Sequence, residues 1–181
     1  LSFLPATAQR YNFINYTTAR GLGSSSVNHI FQDSKGYIWL ATQGGGASRF
    51  NGKTFKNFTR AQGLINNDVT CIAEDKLNNI WIGTASGASM FNGSGLINYT
   101  AQQGLTNGVV YDIHADAQNT IWLATQNEGI IGIHGNTRTK LDTTTGLPTN
   151  ETFTISEDKK GTLWIGLANG IAAYRDGQIT D

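Results

Sequence analysis

The 181-residue sequence is defined first by what it has little of. It holds a single cysteine, Cys71, so no internal disulfide can form and cysteine usage does not identify a compartment. Proline occurs only twice. Charged residues make up 14% of the chain, and 13 basic groups cancel 13 acidic ones. There is no basic patch of the kind a nucleic-acid binder uses, so nucleic acid is not expected as a partner. No apolar run approaches the ~20 residues needed to cross a bilayer. No stretch keeps a 3.6-residue apolar period over three turns, so almost no helix is expected. Gly-x-Ser-x-Gly, a phosphate-binding loop and an EF-hand loop are all missing.

Glycine, by contrast, is abundant at 22 residues, and it is interspersed with Ile, Val, Thr and aromatics. That mixture suggests short strands joined by tight turns. The strongest signal is an internal repeat. Tryptophans stand at positions 39, 81, 122 and 164. A Gly-Leu pair lies 18 residues before each Trp, an Asp six before, and an Ile nine after each Gly. A period of ~40–45 residues rich in strand formers marks a propeller blade of four antiparallel strands. In the first copy the turns cut strand a at 27–33, b at 37–42, c at 47–52 and d at 54–59, with a longer loop at 60–68. The fold class is therefore all-β, with about four blades present. They form a partial propeller or a ring completed by a second chain. The repeats run at about 11–52, 53–93, 94–135 and 136–177 within a region 9–181.

The repeated Asp opens a turn of the form Asp-x-x-Gly/Asn: Asp33 to Gly36, Asp75 to Asn78, Asp116 to Asn119, Asp158 to Gly161. Gly and Asn take positive φ most easily, and an Asp at the start can accept the turn's backbone N–H groups. Two residues beyond each Trp, on the same strand face, is Ala41, Gly83, Ala124 or Gly166. Trp39, Trp81, Trp122 and Trp164 are each expected to bury on the order of 200 Å² against a neighbouring blade. These Asp and Trp residues read as scaffold, because a catalytic carboxylate is needed once or as a pair rather than once per blade.

Few residues outside those columns suggest chemistry. Glu128, Glu151, Asp68 and Asp112 form no motif of the paired kind used in glycoside hydrolysis. His29, His114 and His134 sit at different points of the repeat and lack metal-ligand spacing. No metal, cofactor or catalytic residue is expected. Cys71 lies in an apolar run and reads as a small core residue. Sequons stand at Asn15, Asn57, Asn92, Asn98 and Asn150, and three of them, Asn15, Asn57 and Asn98, share one repeat column. What remains is a loop face. The d–a loops offer Arg20, Arg60, Asn66, Asn67, Asp68, Asn107 and Asn150, and the b–c loops offer Gln43, Gln126, Asn127, Glu128 and Asn169. Such side chains suit hydroxyl-rich ligands, since each supplies a directional donor or acceptor.

The segments 21–45 and 63–87 read "GLGSSSVNHIFQDSKGYIWLATQGG" and "GLINNDVTCIAEDKLNNIWIGTASG". They resemble the two-component regulator propeller repeat, and the resemblance covers nearly the whole chain after residue 12. The third copy departs at 126–129, where "QNEG" adds a residue before the glycine, and the fourth has Leu167 where Thr is expected. The resemblance implies the periplasmic sensor region of a membrane-anchored hybrid histidine kinase, with the kinase in other domains. It also implies an oligosaccharide or other small polar ligand. A propeller enzyme, lyase or hydrolase, and a purely structural interaction platform are the alternatives. The N-terminus fits this topology. Ala6-Thr7-Ala8 before Gln9 matches the small-x-small pattern of signal-peptide cleavage, so residues 1–8 read as the end of a signal peptide. Four blades leave two open faces, so self-association is expected, most simply as a C₂ pair giving eight blades.

Overall fold

The computed structural model of the chain describes residues 13–105 and 108–180. The signal-peptide end at 1–8 and Asn107 lie outside the described residues. Sixteen strands form four separate four-stranded antiparallel sheets, each in simple up-and-down order. Blade one contains β1 (Val27–Gln32), β2 (Ile38–Thr42), β3 (Gly46–Phe50) and β4 (Phe55–Phe58). Blade two contains β5 (Val69–Glu74) to β8 (Leu96–Tyr99), with β6 at Ile80–Thr84 and β7 at Gly87–Phe91. Blade three contains β9 (Val110–Ala115), β10 (Ile121–Thr125), β11 (Ile130–His134) and β12 (Thr137–Leu141). Blade four contains β13 (Thr152–Glu157), β14 (Leu163–Leu167), β15 (Gly170–Arg175) and β16 (Gln178–Thr180). The only helical pieces among the described residues are 3₁₀ turns: Thr18–Arg20 in the equivalent segment before β1, and Arg60–Gln62 and Ala101–Gln103 in the first two d–a loops.

Strand c of the first blade stops at Phe50, short of the boundary at 52 expected from sequence. The Asn51 carboxamide accepts the N–H groups of Lys53 (2.9 Å) and Thr54 (2.8 Å) and so starts the turn there.

The repeated Asp does one job four times. One carboxylate oxygen of Asp33 accepts the backbone N–H groups of Lys35 (3.0 Å) and Tyr37 (2.8 Å), and the other accepts the Trp39 indole N–H (2.8 Å). Asp75 holds Leu77, Asn79 and Trp81 in the same way. Asp116 holds Gln118, Thr120 and Trp122, and Asp158 holds Lys160, Thr162 and Trp164. The hairpin is thus tied to the ring in the centre of strand b. The third turn residue takes positive φ, at Gly36 (84°), Asn78 (61°), Asn119 (63°) and Gly161 (77°), as only Gly and Asn do cheaply.

The first three indoles pack forward onto the next sheet. Trp39 stacks on Phe58 of its own blade at 5.3 Å and meets Phe91 of blade two at 5.9 Å. Trp122 meets Tyr174 of blade four at 5.6 Å. The Ile of strand a is the receiving residue: Trp39 shares a core with Ile72, and Trp122 with Ile155. Trp39 is 0% exposed, but Trp164 is 43% exposed, because no further blade covers it. Ile72 is 2% exposed, but Ile30, its counterpart in blade one, is 63% exposed. The first and last blades therefore do not cover each other, and the four blades form an open arc. Trp164 keeps its Asp bond without the burial expected of it.

The inner strands carry further ties between blades. Every strand a is bulged in its first half, between Val27 and His29 and at the matching points of the other three. A bulge re-aims a side chain. Here the extra residue reaches the next blade. The Asn28 amide donates to the Val69 carbonyl (2.7 Å), the Thr70 hydroxyl donates to the Val110 carbonyl, and Tyr111 packs on Phe153 (5.2 Å). Behind them, a Gly-Leu pair lies within each loop, just after its first turn. Gly63 turns the chain in the left-handed region (φ 96°), and Leu64 plugs the core at 3% exposure.

Removing one buried Asp strands an indole N–H and two turn N–H groups. Asp116→Ala should therefore lower unfolding stability by about 2 kcal/mol or more in a urea titration. Asp158→Ala, beside the half-exposed Trp164, should cost clearly less, because water can replace the lost acceptor.

Candidate functional site

The d–a and b–c loops meet at one end of the sheets, as the sequence suggests. The Gly46 N–H donates to the Asn67 carbonyl (2.9 Å), Gly87 to Gly108 (3.0 Å) and Gly129 to Asn150 (2.9 Å). A Thr on strand b locks the base of three b–c loops. Its hydroxyl donates to the carbonyl of Gly46 (from Thr42, 2.7 Å), Gly87 (from Thr84, 2.8 Å) and Gly129 (from Thr125, 2.8 Å). These bonds align Gly46 with Gly129, so the first copy carries the same extra loop residue as the third. Leu167 occupies the Thr position in blade four and supplies no such lock.

Much of the amide chemistry on this face is spent inside the loops. The Asn67 side-chain oxygen accepts the Arg60 N–H (2.8 Å), and Asn150 accepts that of Thr143 (2.9 Å). Both cap the same loop turn in different copies. Asp68 accepts the Gly44 N–H (2.8 Å), Gln43 accepts the Ser26 hydroxyl (3.4 Å), and Asn66 donates to Ser86 (2.8 Å). Glu128 pairs with Lys140 at 2.7 Å, and Lys140 also reaches Asp142 at 3.3 Å. That contact with Glu128 raises the Lys140 pKa. Arg20, Arg60, Asn127 and Asn169 present exposed side chains on this rim, and Gln126 is half-buried.

The sequon column has a structural use that sequence alone did not reveal. The Asn57 amide donates to the Gly21 carbonyl (2.9 Å) and accepts the Ser48 hydroxyl (2.7 Å), and Asn98 repeats this with Gly63 (3.1 Å) and Ser89 (2.6 Å). Strand d is stitched to the preceding loop by that amide.

Asp112, His29 and His114 are likewise engaged, whereas the exposed Glu151 takes part only through its backbone. One Asp112 oxygen accepts the Thr154 hydroxyl (2.8 Å) and the Ile155 N–H (2.9 Å), joining blades three and four. His29 accepts the Ile72 N–H (3.2 Å), and His114 lies 3.3 Å from Glu157. Among the described residues no three His, Cys, Asp or Glu side chains are grouped to hold a metal. Three clefts lie at the opposite end of the sheets, among the a–b and c–d turns, one at each blade boundary. Their volumes are about 350 Å³ between blades three and four, 230 Å³ between two and three, and 170 Å³ between one and two.

The family model described as two component regulator propeller matches residues 21–44, 63–86, 104–127 and 146–169, more than half of the chain. The chain belongs to the two-component regulator propeller family. No curated protein is significantly similar to it. Among solved structures, it is similar to the extracellular domain of a hybrid two-component system from B. thetaiotaomicron, at 22% identity and a TM-score of 0.82. That match covers 93% of this chain and 24% of the other. A second such domain from B. thetaiotaomicron is 22% identical with a TM-score of 0.74, covering 88% of this chain and 23% of that one. Virginiamycin B lyase from Staphylococcus aureus is 19% identical, with a TM-score of 0.67, over 86% of this chain and 54% of the lyase. At these identities the likeness shows the propeller fold. The chain spans about a quarter of the length of the two-component domains it matches.

Two outcomes follow for titratable groups. Burial pushes the Cys71 thiol up to about 12, so it should resist a disulfide reagent in the native state and react at once when unfolded in urea. The Asp158 carboxyl is held below its ordinary 3.8, first by the Thr162 N–H. A carboxylate with a lowered pKa stabilises the fold above the unfolded value and loses that contribution as pH falls through the folded one. A carbonyl-carbon NMR titration should place its midpoint below 3.8, and the Asp158→Asn variant should lack this part of the acid sensitivity.

Proposed function

We propose that the chain is an extracytoplasmic, non-catalytic sensor module of a two-component system, and that its d–a and b–c loop face takes a small polar ligand such as an oligosaccharide. The carrying observation is the occurrence of four family repeats in a fold whose likeness extends to extracellular domains of two-component systems. Kinase activity would reside in other domains of the intact protein. The exposed Arg20, Arg60, Asn127 and Asn169 are the first contacts we assign, with Gln43, Gln126 and Glu128 beside them. Asn67, Asp68 and Asn150 serve chiefly to shape the loops, given the bonds they already make. Ligand binding would favour one packing of the blades over another and pass that bias to the kinase.

Self-association is the second part of the reading. Trp164 and Ile171 are exposed on the end face of blade four, and Ile30 and Val27 on that of blade one. Each end is half of the interface made three times inside the chain. A twofold pair would bring Trp164 of each copy onto Ile30 of the other and give eight blades.

The two parts have separate tests. A panel of plant and host oligosaccharides, screened by thermal shift and then calorimetry, should yield a binder whose affinity falls about tenfold in Asn127→Ala/Asn169→Ala. Failure of every sugar, or binding indifferent to those changes, overturns the loop-face assignment. In sedimentation the 181-residue chain should run as a dimer at high micromolar concentration, and Trp164→Asp as a folded monomer. A wild-type monomer there overturns the pairing.

A further inference from the structure

The smallest of the three clefts, between blades one and two, contains a cation in an unusual setting. The Arg49 guanidinium carbon lies 4.4 Å from the centre of the Tyr37 ring, 5.6 Å from Trp39, 5.8 Å from Phe58 and 5.9 Å from Phe91. Ring faces attract a guanidinium through their quadrupole. A guanidinium held among rings in this way still carries N–H donors that the rings do not satisfy as an oxygen acceptor would.

No acceptor among the described residues takes those donors. Among the described residues Arg49 makes no ion pair or side-chain hydrogen bond. The two carboxylates of the cleft wall are committed elsewhere. Asp33 serves its turn and Trp39, and both oxygens of Glu74 accept from Ser34, one from its N–H and one from its hydroxyl, each at 2.7 Å. Lys35 lines the same cleft as a second cation. A guanidinium does not deprotonate in a protein, so its donors stay available at any working pH.

The frame of the blade does not call for this arginine. Arg49 faces Trp39 across the strands. The matching partners are Met90 opposite Trp81, Gly132 opposite Trp122 and Ala173 opposite Trp164. Three blades therefore pack their indole without a charge, and one blade carries a cation with a free donor edge at the mouth of a cleft of about 170 Å³.

We propose that this cleft is an anion subsite for the carboxylate of a small ligand or ligand terminus, gripped bidentately by Arg49, with Lys35 as an outer cation. The planar fork matches a carboxylate, and the surrounding rings exclude water from the pair and offer an apolar wall to the carbon skeleton. The volume suits one small carboxylate-bearing unit rather than a whole oligomer. The site lies at the opposite end of the sheets from the amide-rich loops and stands whether or not those loops bind sugar.

The test uses D-glucuronate as probe, neutral glucose and inorganic sulfate as controls, and the Trp39 indole N–H resonance as a local readout. Glucuronate should shift that resonance saturably, and glucose should not. Arg49→Met, which copies the residue blade two uses at this place, should keep the fold and abolish the response. Arg49→Lys keeps the charge but loses the fork, and should weaken binding about tenfold or more. No saturable shift, a response unchanged in Arg49→Met, or sulfate binding as tightly as glucuronate would overturn the carboxylate assignment.

Discussion

The hydrogen bond from an indole N–H to the Asp six residues upstream is the contact on which the architecture depends. It joins two things that need each other. The Asp must be held in one orientation to accept its hairpin's N–H groups, and the Trp must stand at a fixed angle to fill the seam between sheets. One carboxylate satisfies both, at 2.8 to 3.2 Å in the four copies. Because the ring is large, its fixed orientation sets what may lie around it. Gly83 and Gly166 and the alanines at 41 and 124 keep the strand slim nearby. A Cβ added at Gly132 would come within 2.6 Å of the Trp122 ring. Burial of each of the first three rings, on the order of 200 Å², is worth roughly 5 kcal/mol as an upper estimate.

The fold was legible because these roles recur. A column occupied by the same residue in every copy reports a shared physical task, and Asp, Trp, Gly-Leu and Ile all did. The 3₁₀ turns were missed because three residues are too few to show a period, although Thr59 and Gln62 form a capping box that sequence could have displayed. The exposure of Trp164 was not legible from its motif either. Its local sequence is normal, and what differs is the absence of a following sheet.

The candidate site was less legible for a chemical reason. Asn, Gln and Asp read alike in sequence whether their groups face a ligand or a loop's own backbone. Asn67 and Asn150 proved to cap the same turn, and Asn57 and Asn98 to tie strand d to the loop before it. Arg49 went unnoticed for the converse reason. It falls in a column that varies among copies, and only the strand register sets it against Trp39 and within reach of Tyr37 and Phe91. In repeat proteins the frame lies in the constant columns, and individuality lies in what single copies add to them.

The seam between blades has a direction, with a ring offered forward and an isoleucine presented backward. One unit can follow another because the ring-on-isoleucine part of the joint recurs at all three seams, whatever else each seam adds. A duplication or loss of one whole unit therefore heals without a new kind of contact, and the length of such a chain is free to drift while its joints stay constant. The same asymmetry leaves the two tips chemically unlike, one aromatic and one aliphatic, so two like tips would not mate.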